Sequence, residues 1–238
     1  MTQLASNASL GPKELQERVE LALEEARQRG VDQAEVSASH DQGLVATARL
    51  GDVENLEYTS DRGIGITVYK NFCKGSASTS DTSPAAIREA VAKACTFADV
   101  TAADQYAGLA DAELMCADIK DLDLEHPWSI DATEAIELAI KTEAAGMQFD
   151  KRISNSEGAT VSTNHGARCY GNTHGFIGSV SRTSHSISCV VLAESNGVMQ
   201  RDYFYSTARD ANDLDEPAHI GEQAAKRVIS RLDSRKMK

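Results

Sequence analysis

Beginning at Pro12, the residues Leu15, Val19, Ala22, Leu23 and Ala26 recur at helical spacing, and the stripe stops at Gly30. Proline at the first helical position, Glu14 and Glu17 near the start, and Arg27 and Arg29 near the end suit the unpaired groups and dipole of a helix. After Gly30 the period falls to two. "AEVSASH", "GLVATARL" and "GIGITVY" alternate, with Ile64, Ile66 and Val68 on one face, which predicts strands. Leu50-Gly51-Asp52 and Ser60-Asp61-Arg62-Gly63 have the composition of turns between them. A further strand, "KGSASTS", leads to Ser83-Pro84, an N-cap followed by proline. The helix that follows aligns Ile87, Ala90, Val91, Ala94 and Cys95.

Residues 99–130 have no period and read as a connector. Asp131 with Glu134 then makes a capping-box pattern, ahead of an apolar stripe of Ile136, Ala139, Ile140 and Met147. From Ile153 to Ala208 the chain alternates again, and Asn196-Gly197 between two strand-like runs is a strong hairpin signal, because a type I′ turn needs positive φ twice. Pro217 opens a last helix with Ile220, Ala224, Val228 and Leu232 in line. The order helix, antiparallel strands, Pro-initiated helix therefore occurs twice, at 12–98 and at 131–232. A flexible stretch 1–11, the connector 99–130 and a tail 233–238 flank these units. Strands grouped together between helices predict an α+β fold rather than a parallel doubly wound sheet. The two halves either share one antiparallel sheet or form two.

The chain has 238 residues, 41% hydrophobic, with 36 acidic against 24 basic side chains and a net charge of −12. Such a balance supports a packed core and argues against nucleic acid or an anionic membrane as partner, since both are bound through basic faces. No apolar run reaches the length of a membrane span, and the first residues lack the order of a signal peptide. Five scattered cysteines, with no Cys-x-x-Cys pair, suit reduced thiols, so the expected location is the cytoplasm.

"SNSEGATVSTNHGARCYGNTHGFIGS" raises the question of chemistry, because it holds two His-Gly pairs. His165, Cys169, His174 and His185 are chemically able to bind zinc, but they are four, five and eleven residues apart in glycine-rich strand rather than in tight ligand pairs. The alternative, turns at "NHG" and "THG", follows from the tolerance of His and Gly for the left-handed region, and it is the reading adopted. No catalytic residue is assigned. His-Glu-x-x-His, the phosphate-loop pattern, Gly-x-Ser-x-Gly and the dinucleotide fingerprint are all missing from the sequence. Trp128, in "EHPW", reads as an anchor for the connector, and Asp121, Asp123 and Glu125 as a solvated face.

"GDVENLEYTSDRGIGITVYKNFCKGSASTSD" followed by "SPAAIREAV" resembles the N-terminal part of the PmbA (TldE) branch of the TldD/PmbA metallopeptidase family. "HPWSIDATEAIELA", "DKRISNSEGATVSTNHG", "YGNTHGF" and "ESNGVMQRDYFYS" follow in the same order, so the likeness runs from about Glu14 to Lys236. The resemblance implies a cytoplasmic pair of related subunits that cleaves unfolded peptides, in microcin maturation and antitoxin degradation. It implies that zinc sits in a TldD-like partner subunit, on a His-Glu-x-x-x-His helix and a later Cys that this chain does not match, so no cofactor is expected here. It also implies a β-rich C-terminal half beyond "SRLDSRKMK", the chain being an N-terminal portion. A wall for a chamber that admits extended peptides is the expected role. A protein-interaction module of the gyrase-regulator type, without proteolysis, is the alternative.

Overall fold

The computed structural model describes residues 10–116 and 119–234; most of the expected flexible stretch 1–11 and the end of the tail 233–238 lie outside the described residues. The elements are α1 (Pro12–Gln28), β1 (Gln33–Arg49), β2 (Asp52–Lys70), β3 (Cys73–Thr79), α2 (Pro84–Val100), α3 (Ala132–Met147), β4 (Ile153–Asn172), β5 (Ile177–Ser195), β6 (Val198–Ala208) and α4 (Pro217–Arg231). The six strands form one sheet in the order β3-β2-β1-β4-β5-β6, which settles the open alternative. β1 and β4 meet antiparallel, since Thr47 faces Thr160 while Thr173 bonds Ala34. The fold is α+β with flanking helices, as the sequence pattern predicts.

Helix starts follow their local chemistry. Ser83 Oγ accepts from the Ala86 N–H, and Asp131 and Glu134 close a reciprocal capping box. Pro12, Pro84 and Pro217 each stand at the first helical position. The Asn196-Gly197 hairpin has φ of 52° and 76° and joins Ser195 to Val198 in register.

Two compact units emerge, each drawing on separate stretches of the chain. The first holds the chain up to Asp41 with Ser60–Asp123 and Gly166–Ser181; the second holds Gln42–Thr59, Leu124–His165 and the chain from Arg182. The reason is strand length. β1, β2, β4 and β5 run 17 to 20 residues, so each enters both units. In the first unit α1 and α2 bury Leu15, Val19, Leu23, Ile87 and Val91 with Val36, Ile64 and Ile66. In the second unit α3 and α4 cover Leu44, Val161, Ile187 and Val191, with Ile220 and Val228 from α4.

One local expectation is corrected. Ser60–Gly63 is no turn: β2 passes straight through it, and its polar residues are simply exposed strand positions. The turn instead lies at Asn71 and Phe72, with φ of 51° and 62°, where the Asp32 carboxylate accepts the Asn71 N–H at 2.6 Å and helps hold a conformation that a bulky residue resists. On α3 the fully buried positions are Ala135, Ala139, Thr142, Glu143 and Gly146, and Ile136, Ile140 and Met147 of the expected stripe are partly buried against the same core. α4 comes so close at Gly221 that a methyl there would overlap the Thr142 carbonyl, so the contact face must be small.

Two substitutions test these assignments by urea unfolding. Gly197→Val places a β-branched residue at positive φ and is expected to cost about 1 kcal/mol or more. Gly221→Ala is expected to cost about 1–3 kcal/mol, the range for overpacking a close contact. A neutral Gly221→Ala would show that α3 and α4 have room to separate.

Candidate functional site

The four candidate zinc ligands occupy four different settings. His165 lies within β4, not in a turn, and its Nε2 is 2.7 Å from Glu125 Oε1 on an exposed surface. "NHG" is strand because Gly166 must pass Asp41 closely, and a Cβ there would collide with the Asp41 carboxylate. His174 does sit in the turn between β4 and β5. There Asn172 Oδ1 accepts the His174 N–H at 3.0 Å, and Gly175, at φ 93°, takes the left-handed position.

Cys169 is buried in the first core, and burial raises its thiol pKa above the ordinary value. Cys189 in the second core is pushed up to about 12 by the same cause, so neither is a thiolate nucleophile at neutral pH. His185 is buried and fully engaged: Nε2 meets the His126 carbonyl at 2.9 Å and Nδ1 meets Thr163 Oγ1 at 2.8 Å. Among the described residues no group of three His, Cys, Asp or Glu could hold a metal ion, so these side chains do not fit the metal of a metallopeptidase.

What His185 does is fasten the connector. The Trp128 ring stands edge-on to it at 5.4 Å, and the neighbouring Thr183 hydroxyl accepts the His126 N–H while donating to the Arg209 carbonyl. The Thr183 N–H reaches the Leu124 carbonyl at 2.9 Å. Trp128 is thus an anchor, as its sequence context predicts. A second buried polar group escaped the sequence reading. Glu143 on α3 is buried, and its two oxygens accept the N–H groups of Leu50 and Gly51 at 2.8 and 3.0 Å. Leu50 and Gly51 have φ of 53° and 82°, so two adjacent amides converge on one carboxylate. Only the burial of an acid on a helix face could have signalled it.

In the first unit the sheet face away from α1 and α2 carries a cavity of about 440 Å³ lined by Glu35, Ser37, Gly65, Thr67, Ser78 and Tyr170 among others. The Tyr69 and Tyr170 hydroxyls donate to the two oxygens of Glu35 at 3.1 and 3.0 Å. Tyr69 is raised to about 12 by burial and by that carboxylate, and Tyr170 is raised by burial in the first place, so both stay protonated donors. The sequence offered no spacing that would join residues 35, 69 and 170.

Strand edges are the other exposed feature. β3 pairs with β2 only from Ile64 onward, so Asp52–Thr59 of β2 is an open edge in the second unit, with Val53, Leu56 and Tyr58 exposed. At the far side of the sheet β6 is an edge as well, and Tyr203 and Tyr205 stack on its exposed face at 6.2 Å.

Comparison with known proteins gives the class of this α+β chain. Residues 34–98 match PmbA/TldA metallopeptidase domain 1, and residues 125–232 match the PmbA/TldA metallopeptidase central domain. The chain belongs to the PmbA/TldD metallopeptidase family. It is 45% identical over 225 residues to the metalloprotease PmbA of Escherichia coli O157:H7, covering 94% of this chain and 50% of that protein. A metalloprotease PmbA homologue of Haemophilus influenzae is 41% identical over the same shares. The chain thus spans about half the length of the curated relatives it matches. Among solved structures, a candidate modulator of DNA gyrase from Bacteroides thetaiotaomicron superposes with a TM-score of 0.88 at 22% identity, covering 96% of this chain and 52% of that one. TldE from Thermococcus kodakarensis gives 0.75 at 17% identity, covering 89% and 47%. At such identities the two structures share the fold alone.

The site geometry sets two measurable outcomes. Replacing both His165 and His174 by Asn is expected to change stability by no more than about 1 kcal/mol, with or without EDTA, whereas His185→Leu orphans the His126 carbonyl and should cost about 1–3 kcal/mol. A large drop in melting temperature for the double variant, together with loss of bound zinc, would overturn this placement. The second outcome concerns acid. Burial raises the pKa of Asp202, but the Tyr203 N–H, Arg231 and Arg227 outweigh it and leave the carboxyl below its ordinary value. A depressed folded pKa gives stability that is present above the unfolded value, near 3.9, and lost as pH falls through the folded one. The Asp202→Asn variant should therefore be less stable than wild type at pH 7 and show a shallower loss below pH 4; parallel acid-unfolding curves would refute the assignment.

Proposed function

We propose that this chain forms the N-terminal part of a PmbA/TldE-like subunit of a cytoplasmic metal-dependent peptidase, and that a TldD-like partner subunit carries the zinc. In this reading the chain helps wall the chamber through which unfolded, extended peptides reach that metal, and the processes served are microcin maturation and antitoxin degradation. The observation that carries the reading is the collinear 45% identity to metalloprotease PmbA across nearly the whole chain. The open edge at Asp52–Thr59 supports it, because an extended peptide can add to such an edge through main-chain hydrogen bonds with little sequence preference. The acidic total, −12, disfavours nucleic acid, and among the described residues no helix is long and apolar enough to cross a membrane.

A second reading, a gyrase-regulating interaction module, takes its support from the name of the Bacteroides thetaiotaomicron structure, a likeness of fold.

The chain alone is expected to be folded and to leave unfolded casein peptides intact. Mixed as the full-length subunit with a TldD-like protein, it should co-elute in size exclusion and support cleavage that EDTA abolishes. Chelator-resistant peptidase activity from the chain alone would sink the reading. Binding to gyrase with no association with the TldD-like protein would favour the second one.

A further inference from the structure

The hairpin between β2 and β3 turns on two residues, Asn71 and Phe72, since Lys70 pairs with Cys73. Both take the left-handed region, at φ of 51° and 62°, the geometry that ordinarily selects Asn-Gly. A phenylalanine strains the backbone there. Its ring recovers little from burial, because Phe72 is 60% exposed. A bulky side chain kept where it costs the turn is one the fold itself does not explain.

Beside it, within the first unit, lies a cavity of about 470 Å³, in the size range of ligand sites. Tyr69, Phe72 and Tyr106 line it together with the acids Asp32 and Asp111. Among the described residues none of these three rings contacts another, so ring stacking does not close the cavity. The wall that brings Tyr106 and Asp111 to the hairpin is fastened. The Asp104 N–H donates to the Phe72 carbonyl at 2.9 Å, the Leu109 N–H to Gln33 Oε1 at 2.8 Å, and the Tyr106 N–H to Asp104 Oδ1 at 2.9 Å. Tyr106 is itself 86% exposed, so its ring adds no core packing either.

The charge in this cavity is uncompensated. Asp32 Oδ2 accepts the Asn71 N–H, a neutral donor, and the Asp111 side chain makes no cap bond to the turn it precedes. Among the described residues neither acid forms an ion pair. The neighbouring lysines do not fill the space. Lys70 Nζ donates to Asp99 at 2.8 Å, while Lys74, opposite Tyr69 in the ladder, is not a lining residue and makes no cation–π contact. Aromatic faces carry negative potential and carboxylates a full negative charge, so both features of the cavity select a cation.

We propose that this cavity is an aromatic cage for the charged end of a lysine or arginine side chain carried by an extended peptide. The rings take the cation and its methylene stem, and the two carboxylates take its N–H donors. The net charge of −12 draws basic segments toward the chain. The choice of a peptide as bearer rests on the peptidase reading above, whereas the preference for a cation rests on the cavity alone.

The test titrates the 238-residue chain by NMR with three capped tripeptides: acetyl-Gly-Lys-Gly-amide, its arginine counterpart and its norleucine counterpart, which keeps an apolar stem and lacks the charge. The lysine and arginine peptides are expected to bind at millimolar concentration. The norleucine peptide should bind at least about ten-fold more weakly, the loss of the cation's contacts with rings and carboxylates. Tyr106→Ala and Asp111→Asn should each weaken the cationic peptides about three-fold or more while the melting temperature holds. Phe72→Gly should weaken them too, yet leave the melting temperature equal or higher, because glycine suits the turn. Equal binding of the norleucine and lysine peptides overturns the proposal, as does binding of neither cationic peptide, or a fall in melting temperature with Phe72→Gly. Such failures leave co-elution with a TldD-like protein untouched, and loss of that co-elution leaves these titrations standing.

Discussion

The structure depends on a mismatch of lengths. A strand of 17 to 20 residues extends about 55–65 Å at the rise of a β-strand, whereas a helix of 15 to 17 residues covers only about 25 Å. One layer of short helices cannot cover the apolar face of such a strand. β1 shows the consequence, since Ala34, Val36 and Ala38 are buried with α1 and α2, and Leu44, Ala46 and Ala48 are buried in the core of α3 and α4. The same even-numbered positions serve two cores. The helix–strands–helix order occurs twice because two helix pairs are needed, and the two units are interleaved because the strands are continuous.

Close approach is bought with small residues and guarded by buried polar groups. Gly75 lies so near α2 that a Cβ would overlap the Ala94 carbonyl, and Gly221 meets α3 in the same way. Where polar atoms are buried, each named one is answered: Glu143 by two turn amides, His185 by a carbonyl and a hydroxyl, Asp202 by two arginines and an amide. These partners distinguish one register from a shifted one, because a one-residue slip would leave a buried charge or ring nitrogen unmet.

Much of this was legible in the sequence because it is local. The proline-initiated helices, the Asp131–Glu134 box and the Asn196-Gly197 hairpin are set by residues a few positions apart. The errors came where distant contacts override local composition. Ser60–Gly63 reads as a turn, yet its backbone continues β2; "NHG" reads as a turn, yet Gly166 is there to clear Asp41. Nothing local marks Phe72 for positive φ, or Glu143 for the interior. The meeting of Glu35, Tyr69 and Tyr170 joins three strands and has no sequence period at all.

Interleaving also bears on how the chain acquires its shape during synthesis. The first unit includes Gly166–Ser181, so its core is incomplete when α2 has been synthesised, at residue 100, and is completed only once Cys169 has been made. For that interval the apolar faces of α1, α2, β1 and β2 lack part of their cover, including the hairpin that follows from β4 into β5. Contacts of such wide sequence separation slow folding, because the loops between them must close first. A nascent chain of this kind has a vulnerable window of some seventy residues, about 4–14 s at ordinary elongation rates, in which holding factors and aggregation compete for the same exposed surface.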